Sequence, residues 1–162
     1  MGRPHHAEPT SPAGTAVAQQ AAVLASYARR LKRRGWRGLV WLNGAPEQAR
    51  QQALALWQAL DWSAPLWIGD GQQAPVAPSL PSRKARTRLG AEHQLVILDA
   101  SGHQGLDPDA LGALAGTVSA GGLLVLVTPA TWGSQPDPDY ARLADHPWPW
   151  EALSAHYLAR LA

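Results

Sequence analysis

The chain has 162 residues, a formal charge of +2 and no cysteine. That length suits one domain with a core of its own, and the lack of cysteine excludes disulfides, thiolate metal sites, iron–sulfur clusters and a cysteine nucleophile. The first fifteen residues hold no apolar signal-type segment and no stretch approaches the roughly 20 apolar residues of a membrane span, so the sequence reads as a cytoplasmic domain with no membrane partner.

The small net charge conceals segregation. Arg29, Arg30, Lys32, Arg33, Arg34 and Arg37 form one basic run and Arg83, Lys84, Arg86 and Arg88 another, while the chain from Asp99 onward is mostly acidic. A domain with a basic side and an acidic side is expected.

Residues 1–15, rich in Pro, Ser, His and Gly, have nothing to bury and read as a disordered leader, which leaves residues 16–162 as a single α/β domain. Val17, Ala21, Leu24, Tyr27, Ala28 and Leu31 recur at helical spacing, with Gly35 as a stop. The cations of the first run crowd this helix's end, where they complement its dipole. Gly38 to Leu42 is a short apolar strand ended by Asn43-Gly44-Ala45-Pro46. Pro46 and Glu47 suit the first turn of a second helix, with Ala49, Ala53, Leu56, Trp57 and Leu60 on one face. Pro65 to Ile68 reads as a second strand, closed by Gly69-Asp70-Gly71, and residues 72–82 as a Pro-rich surface connection.

Leu95 to Leu98 is a third strand ending on Asp99. Asp107 is placed to cap a helix with Pro108 at its first position and Leu111, Leu114, Ala115 and Val118 along one face. Ala120-Gly121-Gly122 turns into a fourth strand, Leu123 to Val127, stopped by Pro129. A last helix is expected from near Trp150, burying Leu153, Tyr157 and Leu161. Uniformly apolar strands alternating with helices predict a three-layer, Rossmann-like domain whose parallel sheet, of about four or more strands, is flanked by helices.

Ligands of such sheets sit at the carboxyl ends of the strands. A P-loop there needs Gly-x-x-x-x-Gly-Lys-Ser/Thr, yet the only lysines are Lys32 and Lys84, and Asn43 to Glu47 stands in its place. Gly69-Asp70-Gly71 lacks the third glycine of a dinucleotide loop. Asp99, Ser101 and His103 lie within five residues of one another, unlike a triad gathered from separate segments, so Asp99 is read as bonding backbone amides. His93, His146 and His156 are read as surface or interface residues with no metal-binding partner. Trp41, Trp57 and Trp67 fall at core positions. Trp132, Trp148 and Trp150 gather around the last loop and helix, where they mark either contact with another domain or a cover for the sheet's end. Gly121-Gly122 running into an apolar strand leaves open an independent small enzyme of methyltransferase type.

The first helix, Arg37 to Gly44, Leu66 to Gly69, Leu89-Gly90, Val96 to Ala100, Gly105-Leu106-Asp107, Leu114 to Leu126, and Trp132 with Gln135-Pro136-Asp137 together resemble the N-terminal domain of bacterial tRNA(Met) cytidine acetyltransferase. The resemblance covers nearly all of residues 16–162. It implies a P-loop-less domain of helicase type within an enzyme that acetylates N4 of the wobble cytidine using acetyl-CoA and ATP. ATPase and acetyltransferase modules would follow this domain and be its partners, and tRNA would be its ligand. No Arg/Gln-x-x-Gly-x-Gly/Ala loop for a CoA pyrophosphate occurs here. No catalytic, cofactor-binding or metal residue is therefore assigned, and the chain alone is expected to be no enzyme. The two basic runs are the expected tRNA contacts and the three late tryptophans the expected domain interface.

Overall fold

The computed structural model describes residues 12–70 and 74–162. Helix α1 (Pro12–Arg34) buries Ala21, Ala25, Ala28 and Leu31, the three- and four-residue spacing of one helix face. It ends at Gly35, whose φ of +68° allows the Trp36 amide to donate to Leu31 O at 3.0 Å and the Gly35 amide to Lys32 O at 3.3 Å. Residues 12–15 thus belong to this helix and not to the expected leader, and the rest of that leader, residues 1–11, lies outside the described residues.

The four expected strands are β1 (Gly38–Gly44), β2 (Leu66–Ile68), β4 (His93–Asp99) and β5 (Val118–Pro129). A fifth, β3 (Ser79–Leu80), lies inside the supposed Pro-rich connection and pairs with Trp67 and Ile68, the Gly69 amide donating to Leu80 O at 3.0 Å. All pairings are parallel, in the order β1-β5-β4-β2-β3. Gly121 and Gly122 do not turn the chain into β5 but form an irregularity within it, between the pairs His93↔Val118 and Leu95↔Leu123.

Both faces of the sheet are covered. Leu95 and Ile97 of β4 with Leu123, Val125 and Val127 of β5 meet α1 and α2 (Pro46–Gln58). Their neighbours Val96, Leu98, Leu124 and Leu126 meet α3 (Pro108–Ala115), α4 (His156–Leu161) and Ala85 of a 3₁₀ segment, Ser82–Arg88. Each such side chain contributes about 1.5–3 kcal/mol by leaving water. This is the expected three-layer Rossmann-like architecture. The Asp107 cap is also present, its Oδ1 accepting from the amides of Asp109 and Ala110 at 2.9 and 3.3 Å.

The C-terminal segment departs from expectation. Trp150–Ala152 is a single 3₁₀ turn, α4 starts only at His156, and its buried residue is Leu158, whereas Tyr157 and Leu161 are exposed. The chain breaks between the two turns, so the residues expected on one face do not share one. The chain leading into this segment is tied to the loop between β4 and α3 by Asp137. Its buried Oδ1 accepts from the Leu106 and Asp139 amides, both at 2.9 Å. Gly105, at φ +65°, leaves the room for this, since a Cβ there would fall on that oxygen.

Burial raises the Asp137 pKa above its ordinary value; the two amides pull the other way, and the Trp132 indole favours the carboxylate without reaching hydrogen-bond geometry. With the folded pKa raised, this group's contribution to stability is full below its unfolded pKa and is lost as pH rises through the folded one. Asp137→Asn, which keeps the accepting oxygen, is expected to remove that pH dependence in denaturation at several pH values. Asp137→Ala and Gly105→Ala are each expected to cost about 2 kcal/mol. Because both open the same junction, the double variant is expected to cost clearly less than their sum.

Candidate functional site

At the carboxyl ends of the strands, where a doubly wound sheet holds its ligand, an ion pair joins α2 to the end of β4. Arg50, from the second turn of α2, donates Nε to Asp99 Oδ2 at 2.7 Å, with the two side chains 13% and 5% exposed. The other carboxylate oxygen accepts from the Ser101 amide at 3.0 Å and from the Ser101 hydroxyl at 2.6 Å. Asp99 thus bonds a backbone amide as expected, but its principal partner was not foreseen. The available signal was small: Arg50 is the lone cation between Arg37 and Arg83 and stands one turn after Glu47, which it reaches at 3.5 Å.

Neighbouring backbone is fitted around this pair. A Cβ on Gly69 would come within 3.0 Å of Asp99 Cβ, and one on Gly102 within 3.4 Å of Arg50 Nη2. Pro46 removes an amide from the first turn of α2 and Glu47 adds negative charge there, both opposed to holding a phosphate. The adjoining cavity, of about 450 Å³, is lined by Glu47, Arg50, Gln51, Leu54 and Pro75, so its one cation is already paired. Ser101 is committed to Asp99, and His103 makes no hydrogen bond to either among the described residues. No nucleophile–base pair is assembled here.

The basic runs occupy two patches. Arg29, Arg30, Lys32, Arg33 and Arg34 are exposed on α1 and Arg37 just beyond it, on the sheet face that α1 and α2 cover. Arg83, Lys84, Arg86 and Arg88 belong to the 3₁₀ segment packed on α3, on the opposite face. The single basic side expected from the sequence is therefore split, because the segments bearing the runs cover different faces of the sheet. The patches also differ in neutralisation. Arg86 Nη2 lies 2.6 Å from Asp109 Oδ2 and Arg88 is half-buried. Among the described residues, no cation of the α1 run has a carboxylate partner.

The late acids are spent structurally: Asp99 on Arg50, Asp107 as a cap, Asp109 on Arg86, Asp137 on Leu106 and Asp139 on Arg142 at 2.9 Å. No group of three or more His, Asp or Glu side chains suited to a metal occurs among the described residues. His93, expected at the surface or an interface, is buried within the domain, with Nδ1 2.7 Å from Ala64 O.

Of the late tryptophans, Trp132 is a core residue at 7% exposure, edge-on to Trp41 at 5.5 Å between ring centroids. It covers the sheet's end and offers no surface to another domain, which corrects its assignment to an interface. Trp148 is exposed and Trp150 half-buried. Trp67 and Trp57 pack as expected, but Trp41, on the edge strand β1, is partly exposed and donates Nε1 to Thr128 Oγ1 at 2.8 Å. Near the C-terminus, Pro108, Tyr140, Leu143, Leu153 and Tyr157 line a largely apolar cavity of about 540 Å³.

A family model described as "tRNA(Met) cytidine acetyltransferase TmcA, N-terminal" matches residues 16–162. Proteins named tRNA(Met) cytidine acetyltransferase TmcA are similar to this chain in several organisms. The one from Citrobacter koseri is 37% identical over 142 residues, covering 85% of this chain and 20% of that protein. The one from Nitrosococcus halophilus is 34% identical over 142 residues, covering 86% and 18%, and the one from Haloarcula marismortui 32% over 138 residues, covering 80% and 17%. The chain spans about a fifth of the length of these relatives.

Breaking the Arg50–Asp99 ion pair tests its weight. Arg50→Met leaves Asp99 buried with only the Ser101 donors and is expected to cost about 3 kcal/mol in chemical denaturation. The double variant Arg50→Met/Asp99→Leu is expected to recover much of that loss.

Proposed function

The chain belongs to the family of TmcA N-terminal domains, and we propose that in the full-length tRNA(Met) cytidine acetyltransferase it is a non-catalytic module that contacts the tRNA backbone and docks against the remainder of the enzyme. Acetyl-CoA and ATP, on this reading, are handled by the rest of that protein. The carboxyl-end ion pair supports the absence of catalysis here, since the one cation lining the neighbouring cavity is already paired with Asp99. The same commitment, with Glu47 beside it, disfavours an independent methyltransferase-type enzyme.

The observation that carries the reading is the α1 run. Five cations within six residues, exposed and without carboxylate partners among the described residues, hold a positive surface that gains affinity for a polyanion by releasing condensed counterions. The second run, neutralised in part by Asp109, contributes less. Docking is supported at the C-terminal surface, where Leu143, 62% exposed, and Tyr157, 49% exposed, line the apolar cavity. The relatives' remaining length supplies the natural occupant of that surface.

The triple variant Arg30→Ala/Arg33→Ala/Arg34→Ala is expected to weaken tRNA binding and to flatten the dependence of log K on log salt by about 2, roughly 0.7–0.9 per lost phosphate contact. Filter binding over a salt series measures both. Unchanged binding at low salt, where such contacts are strongest, would exclude the RNA contact and leave docking alone.

A further inference from the structure

The end of α1 carries more than charge. Trp36, immediately after the helix stop, is 57% exposed, and the Arg34 guanidinium lies 5.0 Å from its ring centroid. Tyr27, two turns back on the helix, is 37% exposed. Together with Arg30, Leu31 and Arg34 these two aromatic residues line a notch of about 260 Å³. A large exposed indole is costly to leave in water, and neither core of the domain includes it.

The backbone of the notch is anchored at both of the Trp36 polar groups. The Trp36 amide donates to Leu31 O, and its carbonyl accepts from the Gly121 amide at 2.7 Å, which pins this residue between the helix end and the irregularity in β5. Gly38 has no side chain to displace Tyr27: a Cβ there would come within 3.2 Å of Tyr27 Cε1 and 2.7 Å of Leu31 Cδ1. A pre-formed aromatic surface loses little entropy when a planar ligand stacks on it. The segment that forms it is one-signed, for no acidic residue occurs between Glu8 and Glu47.

We propose that this notch is a stacking site for an unpaired RNA nucleotide, with the base against Trp36 and Tyr27 and its flanking phosphates on Arg30 and Arg34. The proposal rests on the RNA-contact reading above and deepens it. Cations alone fit any polyanion, duplex included, but an exposed indole flanked by guanidinium groups fits a base whose π-face is free, as in loops and single strands. Stacking tolerates any base, so the site selects for lack of pairing and not for sequence.

The test is fluorescence anisotropy of the 162-residue chain with a labelled ten-nucleotide oligouridine and with an RNA duplex of equal phosphate count. The single strand is expected to bind more tightly. Trp36→Leu is expected to weaken single-strand binding about tenfold, to leave duplex binding and the salt slope unchanged, and to be largely rescued by Trp36→Phe. Photocrosslinking of the unsubstituted chain to 5-iodouridine RNA, which needs no variant, is expected to label the peptide bearing Tyr27 or Trp36. Salt-dependent binding that ignores Trp36→Leu, or crosslinks that map elsewhere, would overturn the stacking site while leaving the electrostatic contact standing. Loss of both RNAs at low salt would remove both. Displacement by an acidic peptide as effective as by oligouridine would assign the notch to a protein ligand and overturn the proposal.

Discussion

A parallel sheet cannot be closed by tight turns, and every strand of this one must be followed by a chain segment that returns along a face of the sheet. That constraint organises the molecule. It makes the central strands β4 and β5 apolar on both sides, because helices lie above and below them. It also gathers the loops after the strands at one edge, so whatever those loops hold decides whether the fold carries a ligand. The same constraint separates two basic runs that look equivalent in the sequence, since the segments bearing them cover opposite faces.

At the carboxyl edge the decisive interaction is between Arg50 and Asp99. A carboxylate 5% exposed at a strand end would be strongly destabilising alone, and a guanidinium from the next helix resolves it. Once made, the pair commits the Arg50 Nε and the Asp99 carboxylate to each other at the mouth of the neighbouring cavity. Gly69 and Gly102 are part of the same arrangement, giving up side-chain volume so that the ion pair can lie against the backbone.

Much of the fold was legible because strong signals coincide. Apolar runs of four or five residues marked four of the five strands, three of them next to Gly or Pro, and Asp107-Pro108 marked a helix start that the structure contains. What escaped notice depends on tertiary context. Strand β3 has two residues and no periodicity, and exists because the backbone of Trp67 and Gly69 needs partners. Trp132 and Trp148 are alike in composition and neighbourhood, yet one is 7% and the other 66% exposed, a difference decided by whether the chain can fold back onto Trp41. For the candidate site, the positions of the cations along the chain were evident, but not which of them would find an acid.

That last difference bears on how far helix physics alone explains the α1 cluster. The negative end of the helix dipole stabilises cations in the last turn, here Lys32, Arg33 and Arg34, by about 0.3–1 kcal/mol each at an exposed position. The effect fades within that turn, so Arg29 and Arg30 lie beyond it and Arg37 lies outside the helix. Against it stand the like-charge pairs Arg29/Arg33 and Arg30/Arg34, each four residues apart on one face and each unfavourable by about 0.2–0.5 kcal/mol. Dipole complementarity accounts for two or three cations at this position. Five within six residues, with none neutralised among the described residues and an exposed indole beside them, exceed what stability of the helix requires. On the reading proposed above, a polyanionic ligand would relieve the mutual repulsion as it binds, and its bases would give Trp36 the cover that neither core supplies.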